Sequence, residues 1–154
     1  MNRRLVILES VSGPLYWVIL AASLWVLLRG HNEPGGGFIG GLVAVSASVL
    51  WAIAKGSDAA ARRLPTGSPV RLAAIGVGVG ALSGMPAFFS GESFLTHWWG
   101  EIPLGFTEFA VSTVLLFDIG VYLCVWGALA GYALALLALG EADDGGDATE
   151  EGRS

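Results

Sequence analysis

The sequence is short of charge. Only 14% of its 154 residues are Asp, Glu, Lys or Arg, against ~25% in an average soluble domain. No charged residue falls between Ser10 and Leu28, and none between Gly35 and Ala54. Cysteine is nearly absent too. Cys124 stands alone, so an intrachain disulfide is excluded, and one thiol with no nearby histidine is no metal site. The chain has no HExxH, no CxxC and no nucleophile–base grouping, and its glycine-rich stretch lacks the GxxxxGK[ST] pattern; residues 35–40 spell GxGxxG, but an uncharged helical run and no strand precedes them, so the stretch is not read as a phosphate loop. These absences exclude an active site for covalent chemistry. No enzyme activity, metal, cofactor or nucleic-acid partner is expected.

What the chain has is long apolar runs. Hydrophobic residues make up 54% of it. An α-helix needs about 20 apolar residues to cross a hydrocarbon core of ~30 Å. The runs predict an all-α integral membrane protein with four spans, near 11–28, 35–54, 72–89 and 107–139. Pro14 is expected in the first turn of the first helix, Pro86 near the end of the third, and Arg29 and Lys55 close the first two. The fourth run exceeds one span, so it must tilt, protrude or break, with Gly120 its weak point. Arg3 and Arg4 before the first run resemble the start of a signal peptide. That run is too long for one and lacks a good cleavage site, so a retained helix is expected.

The net charge of −5 sits in one place. Glu141, Asp143, Asp144, Asp147, Glu150 and Glu151 face only Arg153 in the last 14 residues, leaving a neutral body. Residues 1–140 therefore form one transmembrane domain, and 141–154 are expected to be a disordered acidic tail. Arg3, Arg4, Lys55, Arg62, Arg63 and Arg71 fall on one side of a four-span chain, with only Arg29 on the other. The excess of positive charge on cytoplasmic loops puts both termini inside. Trp98 and Trp99 then mark the outer boundary.

Small residues recur at every fourth position. Gly36, Gly40, Ala44, Ser48 and Ala52 form one seam, Gly76, Gly80 and Gly84 a second, and Gly127, Gly131 and Ala135 a third. Seams of this kind let membrane helices approach backbone to backbone.

Between the first two runs lies His31-Asn32-Glu33-Pro34-Gly35-Gly36-Gly37-Phe38-Ile39-Gly40-Gly41-Leu42. Asn32 suits a helix cap, Pro34 the first helical turn, and Glu33 the positive end of the helix dipole. On chemistry alone two readings stay open: a tight membrane hairpin, or a functional loop beside an ion path. The stretch resembles the signature of the MnhB-like subunits of the multisubunit Na+/H+ antiporter, the Mrp or Mnh type. Leu115-Leu116-Phe117-Asp118-Ile119-Gly120-Val121-Tyr122 resembles the start of that family's last helix, and Val6-Ile7-Leu8-Glu9-Ser10 also fits. The resemblance runs to about Leu139. It implies a multi-pass subunit in a prokaryotic cell membrane, working with other membrane subunits in the lipid bilayer on monovalent cations and protons. Related subunits occur in complex I-like redox-driven pumps such as membrane-bound hydrogenases, and a purely structural assembly role is a further alternative.

Few ionisable groups can lie at membrane depth, and Asp118, Glu108 and Glu33 are the candidates. A carboxylate there costs ~2.5–3.5 kcal/mol on insertion scales and often marks an ion or proton route. If 107–139 is one helix, Thr107, Asp118 and Tyr122 share a face, while Glu108 is turned about 80° away. The functional reading is a polar stripe Thr107–Asp118–Tyr122 aimed at a partner. The structural reading is that Asp118 sits near the boundary and bonds Tyr122 or nearby backbone. A tagged chain solubilised from membranes is expected to bring down other antiporter-type membrane subunits. Hydrogenase subunits instead would favour the redox alternative.

Overall fold

The computed structural model describes residues 3–29, 36–85, 99–104 and 107–151, with side chains for 10–29, 36–85 and 114–142. Among these described residues, five helices and a two-stranded ribbon follow in order: α1 (Arg3–Arg29), α2 (Gly36–Lys55), α3 (Ser57–Arg63), α4 (Pro69–Ser83), β1 (Trp99–Leu104), β2 (Thr107–Ser112) and α5 (Thr113–Glu151). Three segments are long and apolar enough to cross a membrane: Ser10–Arg29, Gly36–Lys55 and Val114–Ala142. α4 is apolar but only 15 residues, about 22 Å at 1.5 Å per residue.

Several expected boundaries move, each for a local reason. α1 begins at Arg3, eight residues early, so Pro14 lies inside the helix rather than in its first turn. It removes one backbone hydrogen bond, a defect membrane helices tolerate. α4 starts at Pro69, which needs no N–H partner there. It ends at Ser83 instead of Phe89, because the Gly84 N–H closes on the carbonyls of Ala81 and Leu82. Pro86, Trp98 and the rest of 86–98 lie outside the described residues.

The largest correction concerns 107–139. Its first six residues are not helical. Thr107–Ser112 pairs antiparallel with Trp99–Leu104, in a register that sets Leu104 opposite Thr107 and Trp99 opposite Ser112. Thr, Phe and Val favour a pleated strand, and the register leaves a two-residue connection, which antiparallel hairpins favour. The all-α expectation therefore holds for the spans and misses this ribbon. α5 then runs unbroken through Gly120, the position expected to be weak, and on through the acidic segment to Glu151. The tail expected to be disordered from Glu141 thus continues the helix. A helix already nucleated extends at little cost, and Glu141 is tied down. Its carboxylate accepts the Ser57 N–H at 3.0 Å and the Ser57 hydroxyl at 2.7 Å.

α2 and α5 form the centre, with α1 packed on α2 and α4 on α5. The α2 seam is real: Gly36, Gly40, Ala44, Ser48 and Ala52 are all buried, with Gly37, Gly41 and Ala47. The other two seams meet each other. A side chain at Gly76 would strike the backbone at Cys124 and Gly120, and one at Gly127 would strike Ala73 and Pro69. Gly131 faces the Pro69 ring, at 2.8 Å for an added Cβ. The packed line is therefore Pro69, Ala73, Gly76 and Gly80 against Gly131, Gly127, Cys124 and Gly120. Both follow a 4-3-4 spacing, that of an antiparallel coiled pair. Ala135 lies outside it and is exposed, and Gly84 serves as the helix cap.

α3 bridges α2 and α4. Gly56, at φ 91°, makes the bend after α2, and Gly67, at φ 62°, makes the turn into α4. Both dihedrals suit glycine alone among common residues.

Gly120→Leu is expected to break the α4–α5 pair, because an added Cβ already meets Gly80 backbone, whereas Gly78→Leu has open space around it. The monodisperse fraction after detergent extraction should fall sharply for the first and stay near wild type for the second.

Candidate functional site

The two stretches singled out in the sequence meet in space. α2 and α5 run parallel, and the start of α2 lies against the second turn of α5. The Cα of Gly37 faces the backbone carbonyl of Asp118 so closely that no Cβ fits between them. One turn further on, Gly41 faces Tyr122 and Val125, with an added Cβ 2.9 Å from the Val125 side chain. Gly40 looks the other way. Its Cβ would lie 2.9 Å from the Ser23 carbonyl on α1 and 3.2 Å from the Tyr122 ring. The consecutive small residues thus let one helix touch α1 and α5 at the same level. Phe38 and Ile39 are about half exposed and face away from the bundle.

Asp118 is partly buried at this junction. Tyr122 is 3% exposed, and its hydroxyl shares a hydrogen bond of 2.8 Å with the Ser23 hydroxyl. Its ring meets Trp126 edge to face, with centroids 5.7 Å apart. The Trp126 indole N–H donates to the Ser48 hydroxyl at 2.8 Å, and that hydroxyl donates to the Ala44 carbonyl at 3.3 Å. A buried indole or phenol needs such a partner. α5 is therefore fixed in rotation at two successive turns, once to α1 and once to α2.

The expected polar stripe does not form as drawn. Thr107 and Glu108 stand on β2, opposite Leu104 and Pro103, so they are not on the helix that carries Asp118. Tyr122 turns inward to Ser23. Asp118 and Tyr122 remain one turn apart on α5. His31, Asn32, Glu33, Pro34 and Gly35 lie outside the described residues, whereas Gly36, Gly37, Gly40 and Gly41 are buried. Sequence reasoning named Ser48 only as a small seam residue, without its bond to Trp126, and missed Ser23 and Trp126. A tryptophan or serine inside an uncharged run was a usable signal, since each brings a polar group that needs a partner. Among the described residues no three His, Cys, Asp or Glu side chains cluster as metal ligands.

Comparison with known proteins gives a consistent answer. Residues 7–131 match the family model described as "Domain related to MnhB subunit of Na+/H+ antiporter". The B-type Na(+)/H(+) antiporter subunit of Bacillus subtilis (strain 168) is 40% identical over 124 residues, which cover 79% of this chain and 85% of that protein. The putative antiporter subunit mnhB2 of Staphylococcus haemolyticus (strain JCSC1435) is 34% identical over 138 residues, covering 88% of this chain and 96% of the other. Among solved structures, a chain of the Mrp complex from Dietzia sp. DQ12-45-1b superposes with a TM-score of 0.69 at 34% identity. The match covers 85% of this chain and 14% of that much longer one. By the family match and by both relatives, the chain belongs to the family of the MnhB subunit of Na+/H+ antiporters.

Proposed function

We propose that this chain is a membrane subunit of a multisubunit monovalent cation/proton antiporter in a prokaryotic plasma membrane. It crosses the membrane four times, with both termini inside, and it holds part of the ion path against larger partner subunits. The exchange itself is driven by the proton gradient through the assembled complex. The observation that carries this reading is the contact of Gly37 with Asp118. It joins the two stretches that resemble the antiporter family, and it brings the chain's clearest intramembrane carboxylate to the start of α2. A carboxylate at that depth needs protein or water around it and can take up and release a proton. Membership of the family and the likeness to a chain of the Mrp complex support the assignment to an antiporter.

The geometry suits a positioning role for α1 and α2 more than a self-sufficient transporter. One carboxylate is thin equipment for coupled exchange. The hydrogen bonds to Ser23 and Ser48 hold α5 so that Asp118 keeps one direction. Outside, Trp17, Val18, Trp25, Val77, Tyr132 and Leu139 are exposed apolar or aromatic surface for lipid and neighbouring subunits. Thr107 and Glu108, on the ribbon, and Glu33 are assigned to the outer mouth of the path.

Asp118→Asn is expected to lower Na+-dependent proton exchange in vesicles at least tenfold, while the complex still assembles and co-purifies. Asp118→Glu should retain part of the activity. Full exchange by the Asn variant would remove Asp118 from the path. Gly37→Ala forces a methyl group onto the Asp118 carbonyl, and overpacking of this kind costs about 1–3 kcal/mol. The Ala variant should melt several degrees lower and lose exchange, whereas Phe38→Leu, at an exposed position, should do neither.

A further inference from the structure

Arg63, the last residue of α3, is held by an aromatic cage that the transport reading does not use. Its guanidinium carbon lies 3.9 Å from the ring centre of Trp51, 4.7 Å from Tyr16 and 5.4 Å from Trp17. The rings brace one another, with Tyr16 edge-on to Trp17 at 5.6 Å and to Trp51 at 5.5 Å. Such faces attract a cation, and the Tyr16 side chain is also hydrogen-bonded to Arg63. The Arg63 Nε is sealed from solvent and finds no acceptor among the described residues. A guanidinium keeps its charge at any physiological pH and has five donors to satisfy. It is pinned and charged, and its Nε is the one buried side-chain nitrogen among the described residues left without an acceptor.

The surroundings point to what supplies one. α3 buries Ser57, Ala60 and Leu64 against α2 and α5, and leaves Arg62 exposed. Both ends of α3 are fixed, one by the Ser57–Glu141 hydrogen bonds and the other by the aromatic cage. It lies where α2 ends and α4 begins, which in a membrane is the headgroup level. Lys55, Arg62, Arg63 and Arg71 have only Asp58 as an acidic residue in this segment of sequence, and Glu141 adds one carboxylate at the opposite end of α3, on Ser57. Arg71, in the first turn of α4, is exposed. Below the cage, Trp17 is 60% and Val18 63% exposed, an apolar strip of α1 suited to an acyl chain. A basic pocket above such a strip fits a lipid headgroup.

We infer that the α3 corner is a binding site for an anionic phospholipid, whose phosphate is taken by Arg63 and Arg62 while its chain lies along Trp17 and Val18. Arg63 is the fixed element. The rings orient its planar fork, and a planar fork grips phosphate in two-point fashion as an ammonium does not. Arg62 and Arg71 add attraction from the exposed side. The site rests on the chain's lying in a membrane, but not on Asp118 or on any transport step.

The test uses the full chain, purified with the partners it carries, in a neutral detergent. Thermal unfolding is followed while phosphatidylglycerol, phosphatidylcholine or inorganic phosphate is added. Phosphatidylglycerol should raise the midpoint at concentrations where the other two do not. Arg63→Lys, which keeps the charge and loses the fork, should abolish most of that shift. Arg62→Gln with Arg71→Gln should raise the concentration needed by roughly fivefold for each arginine removed. Should the Lys variant not fold, the double variant still decides. Equal effects of the two lipids, an equal effect of inorganic phosphate, or a full shift in both variants would overturn the site. Failure of antiport in any variant leaves this readout unchanged, so the two readings stand or fall separately.

Discussion

In hydrocarbon, an apolar side chain gains nothing by leaving lipid for protein, so helices stay together only where backbones come close enough for dispersion and interhelical hydrogen bonds to act. Every major contact of this chain follows from that constraint. At Gly37, Gly76, Gly120 and Gly127, the neighbouring helix's main chain occupies the space a Cβ would take. Large aliphatic side chains at the centre are few, Leu27, Leu64, Leu72 and Leu134 being the buried ones among the described residues. The buried set is weighted to Ala44, Ala47, Ala52, Ala60 and Ala130 beside the buried glycines and serines. Two of the largest side chains inside, Tyr122 and Trp126, each carry a polar group.

Those two residues answer a problem that close packing leaves unsolved. Glycine seams bring helices together but resist sliding and rotation weakly, since a smooth surface has many similar registers. A hydrogen bond between side chains on different helices has one. Ser23 with Tyr122 and Ser48 with Trp126 set α5 against α1 and α2 at two levels. Their individual strengths are modest, about 0.6–2 kcal/mol in membrane proteins. Their value is in direction, because a helix pinned at two successive turns cannot rotate to turn Asp118 elsewhere.

The sequence carried three of the four expected spans and most of the seam positions, because both depend on local pattern. A four-residue spacing of small residues is visible without knowing the partner helix. What it did not carry was the pairing. Gly120 looked like a break in a long helix, yet it is a point of closest approach, since its role depends on Gly80, 40 residues earlier. The strand Thr107–Ser112 was hidden at the start of an apolar run, where strand and helix share a composition and only its pairing with Trp99–Leu104 tells them apart. Arg63 read as one more positive charge on the basic side of the chain. Its cage comes from α1 and α2, and no spacing rule links Tyr16 and Trp51 to it.

The same geometry bears on how a change at the outer loop would reach the carboxylate. Gly37 stands two residues after Gly35, the end of the stretch joining α1 to α2, and touches the Asp118 backbone rather than its side chain. A shift of that stretch toward α5 would therefore press on the helix itself. α5 has no slack on the opposite side, because Gly120 is already against α4 and Tyr122 is bonded to α1. Packed interfaces of this kind respond in steps rather than by gradual deformation. Any movement of α5 and α4 as a pair, joined along Pro69–Gly80 and Gly120–Gly131, relative to α1 and α2 must break the Tyr122–Ser23 and Trp126–Ser48 hydrogen bonds. Asp118 sits on the boundary between those two pairs, where such a movement would change its surroundings most.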